Sequence, residues 1–285
     1  MHSAQELVAN IEALTSLPSV YVRIREELDM PEGSLNEVGK LVSSDPALAA
    51  RLLQVVNSAL YGYGGRIDSI GRAVTILGLQ QVHDLVLAMS IGSVFAGIRP
   101  ERMDMNRFWR GSVMCGIASR EIGRRYDLPT SERMLVVGLL SDLGHLAMYQ
   151  TVPALADEAR AASEASGEPL FEAERRIVGC DYAEVGATLM DHWKLPACFA
   201  EIIGAQIHPR LAGEFTYEAA ILNLASHIVF AENRGETSEV AAQRVSPVIW
   251  PMLNLEPGVF GELREAAELN LGSYLAILFP GADKA

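Results

Sequence analysis

Apolar residues recur along this chain at spacings of three and four, the mark of one helix face, and strand-like alternation bounded by turns is missing. Leu48, Leu52, Val55, Val56 and Ala59 form such a stripe behind Asp45-Pro46. Asp45 suits an N-cap, and Pro46 suits the first helical position, where no amide hydrogen is needed. Ser34 can cap a helix with Leu35, Val38, Leu41 and Val42 on one side. Ser69 can cap another that carries Ile70, Ala73, Val74 and Leu77 and ends at Gly78, after which Val82, Leu85, Val86 and Met89 line the next. Two short helices over 6–14 and 20–28 come first, followed by a turn at Pro31-Glu32-Gly33. Gly62 is available as a left-handed C-terminal cap after Asn57 to Tyr61, and 63–66 reads as a loop. Gly97-Ile98-Arg99-Pro100-Glu101 breaks the pattern and is the best boundary between two helical lobes. Beyond it the spacing predicts helices over 106–125, 131–149, 153–165, 169–178, 181–193, 197–206, 216–233, 237–244 and 257–278. Asp181 caps one of them with Glu184 placed to reach back, and Leu195-Pro196 stops it. The expected fold class is all-α, in two multi-helical lobes.

The run from Gly138 to Leu146 is apolar on nearly every side of a helix, which predicts burial in a large core. It nevertheless carries Asp142 and His145. An ionisable group in such a run is either part of a site or a hydrogen-bonded structural residue.

Charge and cysteine usage narrow the function classes. The net charge of −13 repels phosphate backbones and anionic lipid, so neither nucleic acid nor membrane is an expected partner. The densest basic stretch, Arg120 to Arg125, has Glu121 inside it. The two short helices around Gly78 resemble a DNA-reading helix-turn-helix, but with only Arg66 and Arg72 nearby they read as a plain helical hairpin. Cys115, Cys180 and Cys198 are far apart and odd in number, which fits free thiols in a reducing compartment. No basic leader and no continuous apolar run of about 18 residues is visible, so the expected location is the cytoplasm.

Histidines and carboxylates on separate helices would suit a divalent metal that activates water on a phosphoester. The six histidines are His2, His83, His145, His192, His208 and His227, and no two share a helix face at i, i+3 or i+4. Glycine-rich phosphate loops and a Gly-x-Ser-x-Gly elbow are also missing.

Several stretches together carry a family likeness: Leu17-Pro18, Asp45-Pro46-Ala47-Leu48, Asn57-Ser58-Ala59-Leu60-Tyr61-Gly62, Ile70 to Leu79, and Gly138 to Leu146. They resemble the HDOD family, the HD-related output domain of bacterial signalling proteins, from about Leu14 to His208, with weaker helical similarity beyond. That family looks like a degenerate relative of HD-type metal phosphohydrolases, including cyclic-dinucleotide phosphodiesterases. Carried over by position, the ligands of those enzymes fall on Gly111, Ser141, Asp142, Tyr182 and, at the final aspartate, about Ser226. Only Asp142 keeps the ligand type, and His145 stands where a lysine is usual.

The resemblance implies an HDOD domain over 14–208, with an N-terminal lobe to about 98 and a degenerate HD-like lobe after it. Residues 209–285 would form a helical extension packed on that second lobe, where Phe260, Leu263, Leu271, Tyr274, Leu275 and Leu278 make an apolar face suited to internal packing. The expected function is a non-catalytic regulatory module with no catalytic residue, no metal and no cofactor. Its partner would be a kinase, receiver or other signalling protein, or a small ligand. The alternative is a metal-dependent phosphohydrolase with a site rebuilt from Asp142, His145, His208 or His227. Under the first reading Asp142 is a buried acceptor of backbone or hydroxyl hydrogen bonds, and Asn57, Ser58 and Tyr61 are structural, with Asn57 bonded to backbone across its lobe.

Overall fold

In the computed structural model, the described residues are 1–11, 18–30, 34–58, 61, 66–94, 100, 102–126, 128 and 130–279. The end of the first expected helix at Leu14, the 31–33 turn, Ala59, the Gly62 cap, most of the loop after it and nearly all of the 97–101 break lie outside them. Among the described residues the fold is all-α, without a strand. The helices are α1 (Ala4–Ala9), α2 (Ser19–Asp29), α3 (Leu35–Ser43), α4 (Pro46–Val56), α5 (Ile70–Val94), α6 (Met105–Arg125), α7 (Ser131–Leu140), α8 (Leu143–Thr151), α9 (Pro153–Ser166), α10 (Leu170–Ile177), α11 (Tyr182–His192), α12 (Ala197–Gly204), α13 (Thr216–Arg234), α14 (Ser238–Arg244), α15 (Ile249–Met252) and α16 (Phe260–Leu278).

Two compact units are distinguished, one of Met1–Thr15 with Ile98–Glu268, the other of Ser16–Gly97 with Leu269–Ala285. The boundary between the units falls at Glu268–Leu269, within α16. A local reason is visible in the second unit, where the Tyr274 hydroxyl lies 3.4 Å from Ser58 Oγ. The six apolar residues named on α16 are all buried.

In the second unit the capping chemistry acts as its residue types dictate. Asp45 accepts the amides of Ala47 and Leu48 at 2.9 and 3.0 Å, Ser34 accepts that of Asn36, and Ser69 that of Arg72. Gly78 breaks α5, with φ 79° and ψ 166°, a conformation that glycine alone enters without strain. The window Ile70–Ser90 is long and apolar enough to cross a membrane by length and composition, at mean hydropathy 1.2. The Gly78 break divides that window into two shorter helices, which pack on α2, α3 and α4. Its buried His83 and Asp84 are partnered internally: the Tyr21 hydroxyl meets His83 Nε2 at 2.8 Å, and Asp84 meets both His83 Nδ1 and the Gln80 amide.

Asn57 clips the end of α4 to the backbone before α5. Its amide donates to the carbonyls of Leu53 and Ile67, each at 2.7 Å, and its Oδ1 accepts the Ile67 amide at 2.8 Å. Alanine here leaves Ile67 with a donor and an acceptor to re-pair, at a cost of ~1–2 kcal/mol. Asn57→Ala is therefore expected to lower Tm by several degrees in thermal unfolding, with Asn57→Asp intermediate because it keeps the acceptor.

The first unit is set by helices in backbone contact. Cβ atoms added at Gly116 and Gly138 would come within 2.6 Å of the Leu135 and Cys115 carbonyl oxygens, so α6 and α7 meet through glycine. One added at Gly144 would lie 1.9 Å from the Tyr182 carbonyl oxygen, which fixes α8 on α11. At the N-terminus, α1 starts at Ala4 rather than near Glu6, because Ser3 and Glu6 close a reciprocal capping box. Asp181 caps α11 through the Glu184 amide at 2.9 Å, but the Glu184 carboxylate pairs with Arg175 instead of reaching back. The Arg120–Arg125 stretch is neutralised: buried Arg120 contacts Glu132 at 2.7 Å and Glu121 at 3.2 Å, and Arg125 contacts Glu262 at 2.7 Å.

Candidate functional site

The helix expected over 131–149 is interrupted at Ser141-Asp142, so that α7 ends and α8 begins there. Breaking a helix strands carbonyl groups that need new partners. The buried Gln206 amide supplies one, donating to the Ser141 carbonyl at 3.0 Å and to that of Ile203 at 3.0 Å. The Ser141 hydroxyl turns back to the Gly138 carbonyl at 2.8 Å, with Cys115 Sγ 3.5 Å away. Asp142 stands at the N-cap of α8 yet caps no amide.

Its carboxylate is committed elsewhere. Asp142 Oδ1 lies 2.5 Å from His145 Nδ1, one turn on. On the far side of the ring, Glu174 Oε1 of α10 lies 2.9 Å from Nε2, a charge contact that is not aligned as a hydrogen bond. Tyr182, the first residue of α11, stacks on the same imidazole with centroids 4.2 Å apart and planes 11° apart. The Tyr182 amide donates to the other Glu174 oxygen at 3.1 Å. The side chains of Glu174, His145 and Asp142 are 3%, 17% and 43% exposed, so the cluster runs from core to surface.

The expectation that Asp142 is a buried acceptor of backbone or hydroxyl bonds is corrected. It is half-exposed and its partner is an imidazole. The reason is the helix break, which turns residue 142 out of the bundle while keeping residue 145 on the same end of α8.

Electrostatics follow from this arrangement. Burial pushes the His145 imidazole down, but Asp142 and then Glu174 together outweigh it and hold the group well above its ordinary 6.5. Burial, with Asp142 and Glu174 after it, holds the Tyr182 phenol well above 10, so it stays protonated. Burial also raises the Cys115 thiol, opposed by the hydroxyls of Ser141 and Ser226.

Of the positions carried over from HD enzymes, the structure sets Asp142 and Tyr182 against His145, while the Ser141 hydroxyl turns away to Gly138 and Cys115. Gly111 sits on α6, where a Cβ would meet Val229 Cγ1 at 3.2 Å. Ser226 bonds to its own helix at Leu222 O, 3.0 Å away. His227 Nδ1 likewise donates to Asn223 O at 2.9 Å, and exposed His208 sets its ring edge-on to Phe171. Neither joins Asp142.

Glu174 was missed in the sequence. Its signal is there: Leu170, Ala173, Glu174 and Ile177 occupy one stripe at i, i+3, i+4 and i+7, so a carboxylate stands on the apolar face of α10.

The donor set does not fit the metal of HD enzymes. At the carried-over positions only Asp142 is a strong ligand, and hydroxyls or nothing take the other places. Both nitrogens of His145 already face carboxylate oxygens, at 2.5 and 2.9 Å. Among the described residues no group of three or more His, Cys, Asp or Glu side chains is arranged to hold one.

A family profile for the HDOD domain matches residues 14–209. An uncharacterized protein of Treponema pallidum (strain Nichols) is 27% identical over 195 residues, 68% of this chain; the chain spans 37% of the length of that curated relative. Among solved structures, one from Shewanella amazonensis SB2B, provisionally described as a phosphohydrolase, superposes with TM-score 0.72 at 25% identity over 99% of this chain and 98% of its own. An HDOD domain protein of unknown function from Geobacter sulfurreducens gives 0.70 at 19% over 99% and 96%. A protein from Marinobacter aquaeolei VT8, provisionally described in signal transduction, gives 0.68 at 21% over 98% and 61%. The profile covers well over half of the sequence and includes the whole Asp142–His145–Glu174–Tyr182 cluster, and on that match the chain belongs to the HDOD family.

Proposed function

We propose that this chain is a non-catalytic regulatory module of bacterial signal transduction, working in the cytoplasm through contacts with another signalling protein or a small ligand. The observation that carries the reading is the His145 clamp. The one carboxylate inherited from the HD ligand set is spent on an imidazole whose other nitrogen faces Glu174. Family membership and the signal-transduction description of the Marinobacter structure support it. The HDOD domain proper is 14–208 on this reading, with 209–285 as additional helical structure. A kinase, a receiver domain or a similar regulator is the partner class, and the acidic net charge of −13 argues against nucleic acid and anionic membrane.

A second reading, a metal-dependent phosphohydrolase acting on phosphodiesters or cyclic dinucleotides, is favoured by the description of the Shewanella structure. One experiment separates the two. Purified protein is assayed for metal content and for turnover of bis-p-nitrophenyl phosphate and cyclic dinucleotides with added Mn2+. The expected result is no stoichiometric metal and no turnover above buffer, together with recovery of a regulatory protein in a native pull-down. Turnover abolished by Asp142→Asn at unchanged Tm would establish the second reading instead.

A further inference from the structure

The ring of His145 faces a carboxylate oxygen at each nitrogen, Asp142 Oδ1 at 2.5 Å and Glu174 Oε1 at 2.9 Å. A neutral imidazole has one N–H and one lone pair. With Nδ1 donating to Asp142, a neutral ring would leave an unprotonated Nε2 only 2.9 Å from Glu174 Oε1. The imidazolium donates to Asp142 at Nδ1 and sets its positive charge 2.9 Å from Glu174 Oε1 at Nε2, so it is attractive to both. The surroundings fit a cation. Tyr182 covers one ring face in parallel stacking, and its amide fixes Glu174 through the second oxygen. The short approach of Gly144 to the Tyr182 carbonyl holds α8 and α11 so that ring and phenol stay face to face.

We propose that the His145 imidazolium takes the place of the divalent ion: it is a built-in counter-cation shared by Asp142 and Glu174 that ties the start of α8 to α10. This rests on the reading of a site with no resident metal and adds what replaces it. In a metal site the ion would draw carboxylate and imidazole ligands inward around one point. Here the imidazole itself lies between the carboxylates and spans two helices. The cluster then carries −1 overall from two carboxylates and one cation, and the half-exposed Asp142 is the most exposed of these three groups.

The test uses the full chain. In 15N spectra of histidine-labelled protein at pH 7.5, both His145 nitrogens are expected to show the protonated pattern, assigned by loss of the signals in His145→Gln. Thermal unfolding of the unmodified protein is expected to show no Tm shift on adding Mn2+ or Zn2+. His145→Ala is expected to lose about 5 °C or more in Tm. Millimolar imidazole is expected to restore most of that loss at pH 7, whereas pyrazole, of the same shape but neutral, restores little. His145→Lys is expected to keep more stability than His145→Gln, which supplies the comparison should the alanine variant fail to fold. A neutral tautomer in the labelled spectra would overturn the proposal, as would equal rescue by pyrazole. In both cases a metal-free, inactive protein would leave the non-catalytic reading standing. A saturable Tm increase with Mn2+, accompanied by phosphodiester turnover, would overturn both.

Discussion

Gly144→Ala is expected to melt at least ~6 °C below the parent protein, and to reduce the yield of soluble protein. The added methyl would lie 1.9 Å from the Tyr182 carbonyl oxygen and 2.9 Å from the Gly186 amide nitrogen. Both neighbours are backbone, so no rotamer change relieves the clash; α8 and α11 must separate. Overpacking typically costs ~1–3 kcal/mol, and a site walled by backbone on two sides belongs at or above the top of that range. For a chain of this size each kcal/mol lowers Tm by roughly 2–4 °C. The separation would also pull His145 from the face of Tyr182. Gly39→Ala is the control: a Cβ there meets nothing within 4 Å, and a helical alanine replaces a glycine, so Tm is expected to hold or rise slightly. Differential scanning calorimetry on the two variants reads the contrast directly. An unchanged Tm in Gly144→Ala would mean that α8 and α11 stand apart.

Much of this architecture is written in short-range patterns, which is why it reads from sequence. Asp45-Pro46, Ser34 and Ser69 name helix starts through local side-chain-to-amide bonds, and those bonds form. Gly78 ends a helix as expected because its backbone takes positive φ. Asn57 bonds to backbone across its lobe as expected, since a helix-ending amide side chain has a donor and an acceptor to place.

What failed depended on distant residues. Nothing local in Leu139-Leu140-Ser141-Asp142-Leu143 announces a helix break. The break is compensated by Gln206, 65 residues on, whose amide takes the Ser141 carbonyl. The candidate site was legible in part for the same reason. Asp142 and His145 are neighbours in sequence and their pairing follows from spacing. The third member, Glu174, comes from another helix, and reading it required treating a charged residue on an apolar stripe as a signal rather than as noise. Capping at Asp181 was predicted correctly, but the partner of Glu184 was not, because Arg175 lies on a different helix and competes for the carboxylate.

Glu174→Ala is expected to be the most damaging substitution in the cluster itself. The side chain is 3% exposed and serves two groups at once, the His145 ring through Oε1 and the Tyr182 amide through Oε2. Alanine leaves an imidazolium without its buried counter-charge and an amide without its acceptor. Removing one member of a buried ion pair costs ~3–5 kcal/mol; with Asp142 half-exposed and still on the ring, a value near the lower end is expected. Glu174→Gln separates the two contributions, since its amide oxygen can keep the Tyr182 N–H while the charge is gone; it should fall between parent and alanine. The pH dependence carries the sign. Folding raises the His145 pKa well above its ordinary 6.5, so the folded state holds that proton more tightly than the unfolded chain does. The stabilisation from this group is therefore complete below about 6.5 and is lost as pH rises through the higher folded-state value. Without the Glu174 charge, burial of the ring is opposed by Asp142 alone, and the loss moves to lower pH. Urea midpoints measured from pH 5.5 to 9.5 on the three proteins, after subtraction of the His145→Gln profile, are expected to show the parent declining on the alkaline side and Glu174→Gln declining earlier. Parallel curves across that range would mean that His145 does not hold its proton between the two carboxylates.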